Sequence, residues 1–503
     1  MNINDAVKEY QSLSRRIKYF EEAAAVMSWD LQTGAPEKAV IGRSGVIGTI
    51  STEAFKMLIS EQMEKLLVFL SNPENMPHLS RIIQVSVKED LKKFNRFKKI
   101  SAEKYEAYIV LTTQAEAVWK EAKALGDFAI FKPYLEKIVE FLQEAAELWG
   151  YDGHKYNAML DIYEPGVTTE QLDKIFGYLK EKIIDLMGRI KKSGYVPDNS
   201  MFLKSYDKDM QRRLSLKILD KMQFDLKRGR LDESAHPFTI KLNLGDVRLT
   251  TKYEVNNLTG ALFATIHEGG HGLYEQNIRE DLAGTPLCTG SSFGIHESQS
   301  RYWENFLGRS RPFWEMFYDD LLEIFPEQFN GVSVENIYHG ANRVEPSLIR
   351  VQADELTYGL HIILRYELEK SLIGGDIKVC DLPRLWDESM QTYLGIIPGH
   401  PGEGVLQDIH WSKGYFGYFP SYTLGNIYAA QFFNQMKKEI PDYDGSVENG
   451  DFKGINEWLK EKIHQHGKLL KPAELLHRVT GEEINPKYFA EYLEKKYREI
   501  YKI

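Results

Sequence analysis

Cysteine is almost missing: Cys288 and Cys380 are the only two in 503 residues. Two thiols cannot build a framework of bridges or a thiolate zinc site. They read as buried, unpaired thiols in a reducing compartment. No run of about 18 uncharged apolar residues occurs, which excludes a membrane-spanning helix. The first nine residues, Met1 to Glu9, lack a basic stretch followed by an apolar run. No secretory leader is therefore expected, and the cytoplasm is the expected location. A basic excess is missing too. Lys and Arg number 63 against 73 Asp and Glu, a net charge of −10, so nucleic acid and anionic membrane should be repelled. Repeats, low-complexity tracts and Ser/Gly linkers are also lacking. That argues for one unit over residues 1–503, in two lobes around a central cleft, rather than three independent domains.

What the chain does contain is helical periodicity. Residues 79–104, 168–194 and 346–372 space apolar side chains at three and four, and the last 25 residues repeat the pattern. Thr168-Thr169-Glu170-Gln171 opens the second of these as a helix start, and Pro346 suits the first turn of the third. One segment differs. Residues 238–252 alternate apolar and polar side chains around Gly245, which predicts a short hairpin or a pair of strands. It can cap the helical core or offer an edge to an extended peptide. The fold class is mainly α, a large helical body with a small β-sheet.

Residues 261–276 read ALFATIHEGGHGLYEQ. On a helix, His267 and His271 project about 40° apart, one turn above the other, so both imidazoles can reach one metal ion. Glu268 lies beside them and can reach a water on the open side of that ion. Asn256 or Asn257 can cap the helix, and Leu258, Ala261, Leu262 and Thr265 form an inward stripe. Gly269-Gly270 costs about 1 kcal/mol of helix propensity per Gly relative to Ala. The compensating gain is close approach of another element. A catalytic zinc usually takes a third protein ligand. Glu275, Glu280, Asp281, His296, Glu297 and Glu304 are the downstream candidates. Glu297 is favoured, because it opens a second helix that can run back against the first. His296 then takes a structural or substrate-facing place.

These residues sit among further motifs. They are His236-Pro237-Phe238, Asp246-Val247-Arg248-Leu249-Thr250, His296-Glu297-Ser298-Gln299, Ile349-Arg350-Val351-Gln352-Ala353-Asp354 and Gly404-Val405-Leu406-Gln407-Asp408-Ile409-His410-Trp411. Residues 416–431 and Trp29-Asp30 with Gly34-Ala35-Pro36 complete the set. In these motifs the chain resembles the carboxypeptidase Taq family of metallocarboxypeptidases over essentially its whole length. The resemblance implies a helical fold with a deep groove, similar to neurolysin and angiotensin-converting enzyme. It also implies a homodimer, one zinc ion that cobalt can replace, and broad release of single amino acids from peptides with a free C-terminus. It agrees on His267, His271 and Glu297 as ligands. Arg301 stands where several wider relatives place an acid, which leaves the partners of the two histidines unassigned.

In that chemistry Glu268 is the general base. Tyr418, then His410, are the candidate donors to the oxyanion. Arg350 is the candidate for the substrate carboxylate, Arg248 an organiser with Asp246, and His236 a substrate contact. An endopeptidase or dipeptidase with the same metal chemistry is the neighbouring alternative, and an inactive peptide-binding protein the alternative of another class.

Overall fold

A computed structural model describes residues 2–503. Helices follow one another along nearly the whole chain, and apolar side chains gather in two clusters. The smaller is built by helices Ile3–Thr33, Val40–Leu58, Glu61–Ser71 and Arg81–Lys98, around Tyr10, Leu67 and Val87. The larger runs from Ala115 to Tyr501. The fold is mainly α, as expected.

The helix foreseen over 79–104 is two helices. The first ends at Lys98, and Ser101 caps the next by accepting a hydrogen bond from the Lys104 amide at 3.3 Å. Periodicity does not register such a break, because the apolar spacing continues across it. Helix Thr169–Ser193 forms as read, with Thr168 and Gln171 in a capping box. The third expectation needs correction: its helix is Tyr358–Gly374, and Pro346 lies outside it. The Asp354 carboxylate accepts the amides of Glu345, Leu356 and Thr357 at 3.0–3.1 Å. Those bonds hold residues 345–357 as a loop with one 3-10 turn, Arg350–Gln352, instead of α-helical turns. The terminal helix is Lys487–Tyr501.

The expected hairpin is present as Thr239–Asn243 (β2) and Asp246–Thr251 (β3), paired antiparallel. Sequence reading missed Gly229–Glu233 (β1), which pairs parallel with β3 in the order β1-β3-β2. Its GRLDE sequence buries only Leu231, too little for an alternation to show. β2 is therefore an edge strand. The two cysteines also need correction. They are unpaired, but Cys288 is only half-buried and Cys380 is exposed. Among the described residues no helix is long and apolar enough to cross a membrane.

Candidate active site and metal centre

The His-pair helix spans Leu258–Gln276, and Asn257 caps it by accepting from the Gly260 amide at 3.0 Å. Leu258, Ala261, Leu262 and Thr265 are all buried, so the inward stripe holds. The glutamate-bearing helix, Phe293–Arg301, packs against it antiparallel. His271 faces His296 and Glu297, whereas His267, one turn earlier, faces Glu304. Gly270 is what permits this approach. A Cβ there would meet Gln299 O at 2.7 Å and Ser300 Cα at 2.8 Å, both backbone atoms.

Glu297 Oε2 lies 3.6 Å from His267 Nε2 and 3.4 Å from His271 Nε2. The three donor atoms all fall within 4.8 Å of one another. Ligands about 2.0–2.1 Å from a tetrahedral ion are separated by roughly 3.4 Å, so the cluster has the size of one ion. Glu297 Oε1 accepts from Arg301 Nε at 2.7 Å, which leaves Oε2 turned to the imidazoles. Burial opposes the charge on Glu297. Arg301 and His267 outweigh it and hold the carboxyl well below the usual carboxylate range.

Both imidazoles are oriented from behind. His267 Nδ1 lies 2.8 Å from Glu304 Oε2. Burial works against the Glu304 charge, but Arg301 and His267 bring its pKa down to about 2, so it is an acceptor only. The neutral His267 ring then carries its proton on Nδ1 and presents a lone pair at Nε2. His271 Nδ1 lies 2.6 Å from His296 Nδ1, and His296 Nε2 lies 2.9 Å from Glu275 Oε1. Lys241 and His296 hold Glu275 near pKa 2 against its burial. A proton on His296 Nε2 makes its Nδ1 an acceptor for His271 Nδ1–H, and His271 Nε2 is freed in turn. Lys241 extends this chain from the edge strand β2.

Glu275 and Glu304 were candidate ligands and are orienting partners instead. Glu280 and Asp281 lie outside the cluster, on exposed backbone where Asp281 pairs with Arg279 at 2.6 Å. The pairing of Glu304 with His267 escaped the sequence reading because Glu304 sits in a π-helical turn, Tyr302–Leu307, whose wider winding shifts side chains off the α-helical register.

Glu268 is buried, and burial raises its pKa. Its Oε2 accepts from Thr239 Oγ1 at 2.6 Å, which ties it to β2. Pro237, Phe238, Thr239, both metal-site histidines, Glu268, Glu297 and Tyr418 line one cavity of about 600 Å³. A larger cavity of about 820 Å³ adjoins it through Tyr163, Phe293 and Lys468. The paired donors and the cleft are what a metallopeptidase requires.

The family model of the carboxypeptidase Taq (M32) metallopeptidases matches residues 9–497. The chain belongs to this family. It is 45% identical to carboxypeptidase 1 of Bacillus subtilis (strain 168) over 100% of both chains. It is 38% identical to thermostable carboxypeptidase 1 of Pyrococcus furiosus, over 98% of this chain and 99% of that one. The crystal structure of an M32 carboxypeptidase from Deinococcus radiodurans R1 superposes with a TM-score of 0.96 at 32% identity, covering 99% of this chain and 100% of that one. The protein is therefore a metallocarboxypeptidase, a hydrolase, as the motifs implied.

The remaining M32 motif residues are spread around this centre. Tyr418 lines the metal cavity, packed edge-on against Tyr163 and Phe293 at 5.1 Å each. Burial, and then Glu297, push its hydroxyl up to about 12, so it stays a proton donor. His410 lies behind Tyr418 with ring centroids 5.3 Å apart, and its Nε2 is 3.4 Å from Tyr422 Oη. Arg350 is buried outside the lining. Its Nε and Nη2 both donate to Asp408 Oδ1, at 3.0 and 2.8 Å, and Nη1 to Tyr358 at 3.1 Å. Arg248 donates to both oxygens of Asp246 and lies over the Trp29 ring at 4.4 Å. His236 is exposed, one residue before the lining pair Pro237 and Phe238.

Proposed function

We propose that the chain is a zinc carboxypeptidase that releases single amino acids from the C-termini of peptides with broad specificity. The observation that carries this reading is the convergence of His267 Nε2, His271 Nε2 and Glu297 Oε2, with Glu268 beside them. Two imidazoles and one carboxylate suit zinc or cobalt, whereas magnesium favours an all-oxygen octahedron. His267, His271 and Glu297 would hold the ion. Its contribution when bound is Lewis-acid chemistry, acidifying a water and polarising the scissile carbonyl.

The protein's own groups do the rest. Glu268 takes the proton of the attacking water and delivers it to the leaving amine. The Thr239 hydroxyl occupies one of its oxygens and leaves the other for that water. Tyr418 donates to the oxyanion, with His410 behind it as a second candidate. Arg350 is the proposed anchor of the substrate carboxylate. Arg350 and Arg365 share the single acid Asp408, so an excess positive charge is buried behind Tyr422. That excess supports attraction of an anionic terminus. Arg248 with Asp246 organises the sheet, and His236 meets peptide at the rim. Aromatic and small polar lining residues, among them Phe238, Phe293 and Ser421, favour tolerance of many side chains. Resemblance supports a homodimer of single catalytic units, and two unpaired thiols support a reducing, cytoplasmic setting.

The test is a mass-spectrometric time course on one peptide in free and C-terminally amidated forms, with and without chelator. Single residues lost in order from the free peptide alone, and only with metal, are expected. Cleavage of the amidated peptide would turn the reading to an endopeptidase. Binding without product would leave a peptide-binding protein.

A further inference from the structure

Glu369 is fully buried in helix Tyr358–Gly374, and among the described residues no cation touches its carboxylate. A buried carboxylate is costly unless several donors compensate it. Here there are three, each from a different place. Tyr156 Oη donates to Oε2 at 2.5 Å, Trp411 Nε1 to Oε1 at 2.7 Å, and the Gly417 amide to Oε2 at 2.9 Å. Trp411 follows His410, and Gly417 precedes Tyr418. One side chain therefore ties both ends of the segment that carries the two proposed oxyanion donors.

The opposite face of that segment is equally confined. Gly417 has φ +90°, and a Cβ on it would meet Met159 C and O at 2.7 Å. Phe416 is buried and stacks on Trp411 at 6.0 Å. The Tyr418 backbone is thus held between helix Asn157–Tyr163 and the Glu369 carboxylate. The bond from Gly417 sets where the Tyr418 Cα sits, and the rings of Tyr163 and Phe293 set where its hydroxyl points.

We propose that Glu369 is a positioning residue for peptide hydrolysis, acting through Tyr418 by fixing segment 410–418 against the metal cavity. This rests on the reading of Tyr418 as the oxyanion donor. A simple packing role does not explain the choice of residue. A glutamine of the same shape has one acceptor oxygen, and its NH2 would confront a donor that the carboxylate accepts.

The experiment is a double-mutant cycle on the metal-loaded enzyme, reading kcat, KM and bound metal for Glu369→Gln, Tyr418→Phe and the double variant. Glu369→Gln is expected to lower kcat about 10²-fold, the scale of a misplaced catalytic group, with KM and metal content unchanged. In the Tyr418→Phe background it should lower kcat no further. An equal loss in both backgrounds overturns the proposal while leaving Tyr418 in its role, and so does an unchanged kcat in Glu369→Gln. Full activity of Tyr418→Phe alone removes Tyr418 from catalysis, and this proposal with it. If Glu369→Gln does not fold, Trp411→Phe, which deletes one donor and keeps an aromatic side chain, takes its place in the same cycle under the same criteria.

Discussion

Glu304 Oε2 lies 2.8 Å from His267 Nδ1, so the carboxylate that orients one histidine of the pair comes from the π-helical turn just beyond the helix that carries Glu297. Arg301 Nη1 and Arg309 Nη2 also reach Glu304, at 3.2 and 3.3 Å. The carboxylate is thus kept charged, and an acceptor, by two guanidinium groups.

Replacing Glu304 by Gln should weaken metal binding about 10- to 100-fold, the usual cost of losing an orienting partner. The amide lets His267 adopt the other tautomer and leaves Arg301 and Arg309 with less charge to meet. Competition against a chelator of known affinity measures this. An unchanged affinity would show that Glu304 does not set the tautomer.

Glu268→Gln keeps the shape of the side chain and its bond from Thr239. The variant should retain its metal by elemental analysis and lose about 10²- to 10⁴-fold in kcat, the range for a general base. Metal retained together with full turnover would remove Glu268 from that role.

Gly270→Ala improves helix propensity by about 1 kcal/mol. Its new methyl group nevertheless meets backbone at Gln299 and Ser300, which cannot rotate away. Overpacking of this kind costs about 1–3 kcal/mol, so the net effect should be lower stability in urea titration. Metal affinity should fall as well, because the displaced segment carries Glu297.

His361 is fully buried, and neither ring nitrogen has a hydrogen-bond partner among the described residues. Burial first, then Arg365 and Arg350, hold its pKa near 3, below the ordinary 6.5. The folded form therefore keeps it neutral while the unfolded form takes up a proton below pH 6.5. Its contribution to stability is complete above that pH and is lost as pH falls toward 3, at about 1.4 kcal/mol per pH unit. Between pH 7 and pH 5, urea unfolding of His361→Leu should therefore lose about 2 kcal/mol less stability than the native chain, from about 1.5 pH units at that slope. Equal slopes would contradict it.

The two-histidine face needed only local geometry. An i,i+4 spacing on any helix superposes His267 and His271, and the apolar stripe around them states that the helix forms. Glu297 followed from the start of a second helix and from a loop long enough to turn back. Gly269-Gly270, poor in helix propensity, already hinted at a close neighbour, and Gly270 does lie against the backbone at Gln299.

Other assignments depended on contacts between distant segments, which leave no periodic trace. Five downstream acids and one imidazole were candidate ligands, and the start of a second helix favoured Glu297 without giving the others a place. Packing assigned Glu275 to His296 and Lys241, and Glu304 to His267, because charge and distance across the antiparallel helix pair differ at each position. Nothing in the sequence pairs Arg350 with Asp408, 58 residues away, which the fold alone brings to 2.8 Å. β1 carries one buried apolar residue and exists only because β3 lies beside it. Residue spacing thus set the chemistry available on each helix face, while long-range hydrogen bonds and ion pairs chose which of those groups meet, because only packing determines the distance between them.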